Sequence, residues 1–409
     1  MRAPLPRNRD YVILLAGQSV SQFGGSVSNV AFPLLVLALT HSALQAGLVG
    51  AADALPLVLL SLYAGALVDR WDRKRVMILC DAMRALVLGS IPLAALLGCL
   101  TMAQVYVAAL AEASCSVFFA TAAAAAIPRI VSKERLTSAT AQFQAFSRVA
   151  TVTAPAVGAF LFQTVGQTIP FLVDALSYIE SVASLLLIRT DFQRKDARPR
   201  RNIHAEIREG VSWLVGDRLL LLMATLTGGF MLVAGGMPLI IILLAREQHA
   251  PTFFIGLVFS IQTLGAIAGA VIAPRVRKRF GFARIVRTIQ WVTVPLFFLF
   301  ALTSNPLEVA LVAAGIAFTG PIYNVVTQSY RLAAIPDELQ GRVNSAYRLI
   351  ALGSAPIGVA LAGVLLQAVG PRTTAVIDTG ALLAMTIVVT VSRAIGDAPP
   401  VPKGGTRTE

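Results

Sequence analysis

Asp53, Glu112, Arg148 and Glu180 each stand inside a run of apolar residues long enough to cross a bilayer. A charge carried to the middle of hydrocarbon costs about 3 kcal/mol or more, so each of these groups needs a partner or a task. At about 1.5 Å of rise per helical residue, Asp53, Glu112 and Arg148 fall about 15 Å from the start of their segments, and Glu180 about 18 Å. Carboxyls at that depth suit reversible proton uptake, which needs apolar burial together with a cation whose distance changes. Glu112 with Arg148 supplies both conditions. Glu112 is therefore the first candidate for a proton carrier, ahead of Asp53 and Glu180. The bland alternative is a permanent Glu112–Arg148 ion pair that only fixes helix packing.

The elements that must hold these groups follow from composition. Of 409 residues, 56% are hydrophobic and only 13% charged, about half the charged share of a soluble domain, and the mean hydropathy is +0.74. A soluble enzyme, a disordered chain and a secreted disulfide scaffold are excluded. A bilayer core takes about 20 apolar helical residues. Twelve segments qualify, over roughly 11–39, 43–66, 76–99, 102–126, 138–165, 168–188, 219–245, 252–273, 283–303, 306–332, 342–369 and 372–394. The fold class is an all-α membrane protein of twelve helices. Prolines within the segments, such as Pro33, Pro155 and Pro356, are tolerated where neighbours satisfy the freed carbonyls. Cys80, Cys99 and Cys115 lack metal-type spacing, and the three histidines share no helical face, so no metal site is expected. The basic N-terminus precedes a long apolar stretch without a cleavage pattern, which argues against a removable signal peptide. No G-x-x-x-x-G-K-[ST] motif occurs. Without ATP hydrolysis, the energy source is an ion gradient, protons first, and no cofactor is expected.

Orientation follows from lysine and arginine. Of the 34 basic residues, 29 fall at the N-terminus, at the C-terminus, or in the even-numbered loops and the span edges within five residues of them. Both termini are therefore cytoplasmic, and the net charge of +13 faces membrane phospholipid rather than nucleic acid. Residues 1–189 form an N-terminal six-helix bundle, 218–395 a C-terminal one, and 396–409 a flexible cytoplasmic tail. The linker 190–217 carries Arg194, Lys195, Arg198, Arg200, Arg201 and Arg208. Ile203, Ile207, Val211 and Leu214 recur there at helical spacing, which predicts an amphipathic helix along the inner surface. In this frame Asp81 and Arg84 are a local i, i+3 pair near the inner face. Asp174 and Asp378, near the outer face, are structural.

The halves repeat. Gly65…Arg73-Lys74-Arg75 recurs as Gly269…Arg277-Lys278-Arg279, and Gln163, Gly166 and Asp174 recur as Gln367, Gly370 and Asp378, all 204 positions on. Arg135-Leu-Thr-Ser-Ala matches Arg342-Val-Asn-Ser-Ala at 207, and Ala154-Pro155 matches Ala355-Pro356 at 201. Six spans per half give a parallel repeat with a pseudo-twofold axis, the plan of carriers that rock around a midplane site.

The loop after span two reads Gly65-Ala-Leu-Val-Asp69-Arg70-Trp-Asp72-Arg73-Lys74-Arg75. It resembles the loop signature of the major facilitator superfamily, G-x-L-x-D-R-x-G-R-K/R-x, with Asp72 where many members carry glycine. That form is similar to the drug/proton antiporter branch containing macrolide and enterobactin exporters. Ala154-Pro155-Ala156-Val157-Gly158 is similar to the antiporter motif G-P-x-x-G, so Pro155 and Gly158 count as motif residues. The resemblance implies export of small amphipathic molecules by proton antiport with alternating access. It also implies that Gly65, Asp69, Arg70, Arg73 and Lys74 latch the two halves in the outward-open state, Asp69 and Arg73 above all. On their own terms, Gly65 permits close helix approach, Asp69 suits a neighbouring helix N-terminus, and the basic residues face cytoplasm and anionic lipid. Ala273 replaces Asp69 in the second copy, so the latch is asymmetric. A topology determinant alone is the alternative.

Gln18, Gln22 and Asn29 share one face of span one, and Gln144, Tyr323 and Asn324 add polar contacts to a substrate cavity. Phe119 and Tyr347, with Phe23, Phe118, Phe143, Phe230 and Phe259, are available to stack on an amphipathic substrate. Four readings stay open: a proton-coupled drug exporter, a dedicated exporter of a siderophore or other endogenous metabolite, a lipid translocase, and a sensor that binds without flux. None is an enzyme. The expected partners are a small amphipathic substrate, protons and membrane phospholipid, with no nucleic acid. A monomer in a bacterial inner membrane is expected, and the alanine- and arginine-rich composition suits a GC-rich bacterium.

Overall fold

The computed structural model describes residues 5–193, 203–336, 339–392 and 395. Among these residues every regular element is helical, and eleven helical stretches are long and apolar enough to cross a membrane. The chain forms two compact units, one of residues 1–198 with 249–260 and the other of residues 199–248 with 261–409.

The first unit is built on α1 (Arg9–Thr40), α2 (Ala43–Val68), α3 (Arg73–Leu96), α4 (Met102–Ile130), α5 (Leu136–Thr164) and α6 (Ile169–Leu187). Their starts are legible locally. Asn8, Ser42, Asp72 and Thr101 each accept a backbone N–H of the first turn, which satisfies one of the orphan donors there. Between apolar helices in lipid there is little hydrophobic drive, so contact comes from small residues that let backbones approach. On α1, Gly17 and Gly24 face Ser184 and Ser177 of α6; a Cβ at Gly24 would stand 2.7 Å from Asp174 Oδ1. Gly158 on α5 lies against α1, where an added Cβ would meet the Val27 carbonyl oxygen at 2.7 Å. The inner end is stitched by polar contacts. Asp10 accepts from the Thr190 amide at 2.9 Å, and Asn8 donates to the Ile130 carbonyl at 2.9 Å.

The second unit contains α7 (Ile203–Gly216), α8 (Arg218–Ala234), α9 (Met237–Glu247), most of α10 (Thr252–Arg279), α11 (Phe282–Leu302), α12 (Pro306–Ala334) and α13 (Gln340–Val391). One of these departs from the twelve unbroken spans expected. Span seven is two helices, α8 and α9, separated at Gly235-Gly236. Two glycines in succession weaken the helix there and Pro238 starts the next one. Spans eleven and twelve are the two arms of α13, which meet at a kink where Gly370 is non-helical at φ 78, ψ 172. That φ favours glycine, and Pro371 follows as the first residue of the new segment. The 204-residue repeat places Gly166 at the corresponding break between α5 and α6, also with positive φ.

The amphipathic helix of the linker is α7, and the apolar residues of its second half pack on protein. Leu214 is fully buried, Val211 and Trp213 pack on the same core, and Gly210 lies against the Arg342 backbone. Glu209 and Arg342 form an ion pair beside that contact. Arg194, Lys195, Arg198, Arg200 and Arg201, and the tail 396–409, lie outside the described residues, as do the side chains of Ile203 and Ile207.

Gly65 corrects a further expectation. A Cβ there would meet nothing within 4 Å, whereas its repeat partner Gly269 lies tightly against the Phe318 backbone. The close helix approach that the motif suggested belongs to the second copy. Gly24→Ala should therefore lower the melting temperature of the purified protein in detergent, overpacking of this kind costing about 1–3 kcal/mol. Gly65→Ala should leave it unchanged or raise it by the equivalent of up to about 1 kcal/mol. Equal melting temperatures for the two variants would contradict this packing.

Candidate functional site: a buried charge cluster

Arg84 is the hub of the first unit. It stands at the middle of α3, and its side chain is only 9% exposed. Its Nη2 donates to Glu112 Oε1 on α4 at 2.6 Å, its Nε donates to the same oxygen at 3.2 Å, and its Nη1 donates to Asp81 Oδ1 at 3.3 Å. The guanidinium also lies over the Tyr178 ring, 4.0 Å from its centre, a cation–π contact that spares it other solvation. From α6, the Tyr178 hydroxyl donates to Glu112 at 3.3 Å and the Ser181 hydroxyl donates to Asp81 Oδ2 at 2.6 Å. Asp53 on α2 lies within electrostatic reach of Glu112 and Arg84 yet makes no hydrogen bond or ion pair of its own. Side chains of four helices thus gather around one guanidinium about 17 Å along α3, with Asp53 and Glu112 each about 15 Å along α2 and α4.

This differs from the expected pairing of Glu112 with Arg148. Arg148 is exposed and pairs with no carboxylate among the described residues. Asp81 and Arg84 are indeed a pair at i, i+3, but at mid-helix rather than near the inner face. Starting span three at residue 76 had made Arg84 look shallow; α3 begins at Arg73 because Asp72 caps it. Glu180 is not part of the cluster. It is exposed on the side of α6 that also turns out Leu176 and Ile179, while Tyr178 and Ser181 face inward. Asp174 is fully buried against α1, with Oδ2 lacking a hydrogen-bond partner; Asp378, its repeat equivalent, also has a buried and unpartnered Oδ2.

The loop signature is a tie within the first unit. Arg73, buried to 8% exposure, donates to Asp69 at 2.9 Å and to the carbonyls of Ala125 and Phe192 at 3.3 Å each. Lys74 donates to the Ile188 carbonyl at 2.6 Å. Lys74 therefore caps the end of α6, a terminus that a cation stabilises, and Arg73 ties α3 to α4 and to the chain after α6, so neither simply faces cytoplasm and lipid. Arg70 and Arg75 are exposed, and Asp69 accepts from Arg73 rather than from a neighbouring helix N-terminus. Pro155 and Gly158 lie where α5 meets α1 and the first turns of α10; Gly256 of α10 packs against the Pro155 backbone and Ala156.

The expected cavity residues divide. Gln22, Asn29 and Gln144 are exposed, and Gln18 is half-buried with an unpartnered amide nitrogen. Phe119 is no cavity wall: it belongs to the hydrophobic core at the inner end of α1, α3 and α4. In the second unit the hydroxyls of Thr227, Tyr323 and Tyr347 meet, Thr227 lying 2.7 Å from Tyr347 and 3.2 Å from Tyr323. Arg331 stacks on Tyr347, 3.8 Å from the ring centre. Tyr323 and Asn324 line a cavity of that unit, while Tyr347 is buried behind them.

Removing the hub leaves two buried carboxylates without their cation, so Arg84→Ala should lower stability by about 3–5 kcal/mol. Combining it with Glu112→Gln should cost less than the two changes summed. Arg148→Ala should stay within about 0.5 kcal/mol of the parent. Thermal unfolding in one detergent checks all three; an equal loss in Arg84→Ala and Arg148→Ala would remove Arg84 from the centre of the site.

Comparison with known proteins agrees with this architecture. The chain is 27% identical over 384 residues to the multidrug efflux pump Tap of Mycolicibacterium fortuitum, covering 89% of this chain and 90% of that protein. It is 24% identical over 383 residues to the enterobactin exporter EntS of Citrobacter koseri, covering 92% and 91%. Its fold matches the crystal structure of the nucleoside transporter NupG at a TM-score of 0.76 with 12% identity, over 95% of this chain and 100% of that one. These relatives and structural neighbours are membrane transporters, not enzymes. Because the family pattern described as transmembrane secretion effector spans residues 2–402, the chain belongs to that family of the major facilitator superfamily, as a multi-pass efflux transporter.

Proposed function

We propose that this transporter exports small amphipathic molecules by proton antiport with alternating access, and that the cluster around Arg84 couples the two fluxes. The observation that carries the reading is the charge balance: Asp81 and Glu112 both bond to one guanidinium, with Asp53 in electrostatic reach of it. A single cation cannot neutralise three carboxylates in an apolar bundle, and the surplus is met by a proton or by a cationic substrate. Glu112 remains the first proton carrier, with Arg84 as the cation whose contact it exchanges. Asp53, with no bond to hold it, is the second. Arg148 and Glu180 lose their place in the coupling. A proton moving down about 100 mV supplies about 2.3 kcal/mol, enough to drive uphill export.

The remaining expectations join this proposal. The protein works as a monomer in a bacterial inner membrane with both termini cytoplasmic, its basic inner rim on phospholipid headgroups, and no resident cofactor. Asp69, Arg70, Arg73 and Lys74 act in the conformational latch; their bonds to α4 and α6 support a rigid inner end for the first half. A dedicated exporter of an endogenous metabolite is the second reading, favoured by similarity to EntS.

Purified protein in liposomes with an imposed pH gradient and a pH-sensitive dye tests the first reading. Macrolides, cationic dyes and catecholate siderophores are added singly. Substrate-dependent proton movement is expected with a macrolide or a dye and should be lost in Glu112→Gln. Movement only with the siderophore would favour the second reading. Movement that survives in Glu112→Gln and disappears in Asp53→Asn would reassign the carrier. No proton movement with any compound would overturn antiport.

A further inference from the structure

The second unit holds a cavity that the proton-coupling site does not use. It lies between α8, α11 and α12 and opens at one side. No charged side chain lines it. One wall is apolar, with Phe230 and Met231 of α8 and Ile289 of α11; the other is polar, with Gln290, Thr293 and Thr319.

Gln290 makes this cavity a binding site rather than a packing defect. It is only 6% exposed, it lines the cavity, and its amide makes no hydrogen bond among the described residues. Buried polar groups are almost always paired, and an exception needs an explanation. Here the amide reaches the cavity surface, so its partner is something that enters. The threonines narrow the chemistry. Thr293 donates its hydroxyl proton to the Ile289 carbonyl at 2.8 Å, and Thr319 donates to the Ile316 carbonyl at 2.7 Å. What both oxygens have left to offer is acceptor lone pairs. The guest must therefore bring a donor for the threonines, a donor or acceptor for Gln290, and an apolar face for Phe230. A charged group would find no counter-ion.

We propose that this cavity is a subsite for the uncharged, hydroxyl- or amide-bearing aromatic part of an exported molecule, seated between Phe230 and the Gln290–Thr293–Thr319 face. The inference deepens the export reading and rests on it for the word exported, but binding itself stands apart from proton coupling. Gly320 offers a direct probe, because a Cβ there would meet nothing within 4 Å while the residue lines the cavity. Gly320→Leu fills the space without displacing the helix.

The test is equilibrium binding by calorimetry to the purified full-length protein in detergent. Chloramphenicol serves as the neutral probe, bearing a ring, an amide and two hydroxyls, and ethidium as a flat cationic one. Gln290→Leu and Gly320→Leu should each weaken chloramphenicol binding by about tenfold or more and leave ethidium binding unchanged. Both variants should melt at or above the parent temperature, since Gln290→Leu removes an unpaired buried amide. Absence of saturable chloramphenicol binding to the parent would overturn the proposal. So would unchanged affinity in both variants, or an equal loss of ethidium affinity. Binding that follows these expectations in a protein that moves no protons would sink antiport and leave the subsite standing.

Discussion

A guanidinium buried in an apolar helical bundle has to find its counter-charges inside the protein, and Arg84 organises the first half of this transporter by that requirement. Its bonds to Asp81 and Glu112 and its seat on Tyr178 join α3, α4 and α6 at mid-membrane depth. Such a cluster stabilises the fold only while every member is satisfied. Its acids outnumber its base, and the same contacts hold α3, α4 and α6 together.

Around that hub the helices approach through small residues. Gly17 and Gly24 of α1 face Ser184 and Ser177 of α6, and Gly158 brings α5 onto α1. The serines that permit the approach also serve the charges: Ser181 donates to Asp81 and Ser177 lies beside Asp174. Close packing and charge satisfaction are two uses of one interface, which is why α6 turns Ser177, Ser181 and Ser184 inward while Leu172, Leu176, Leu186 and Leu187 are exposed.

The two halves use their common plan differently. The repeat keeps the breaks at Gly166 and Gly370 and the buried carboxyls of Asp174 and Asp378. It does not keep the charge cluster: the second unit has hydroxyls and amides at its own cavity, and Arg331, in the last turn of α12, stacks on Tyr347. Even the matched glycines diverge, Gly65 facing open space and Gly269 the Phe318 backbone. Duplicated segments conserve what the backbone needs and vary what the side chains meet.

Membrane residence, the positions of the spans, the turn glycines, the loop signature and the depth of Asp53 and Glu112 are all readable from the residues in order. Hydropathy, capping and spacing are local properties, and bilayer thickness converts them directly into helices. The break of span seven at Gly235-Gly236 leaves the hydropathy continuous, so hydropathy alone does not mark it. What only the tertiary structure decided is who faces whom: that Arg84 rather than Arg148 meets Glu112, that Glu180 and Phe119 leave the site, and that Gln290 opens on a cavity. Each residue turns a helix by about 100°, and a helix apolar on all sides carries no polar stripe to reveal its rotation. Partners across helices are then chosen by how glycine, serine and charge fit together in three dimensions, which no single segment records.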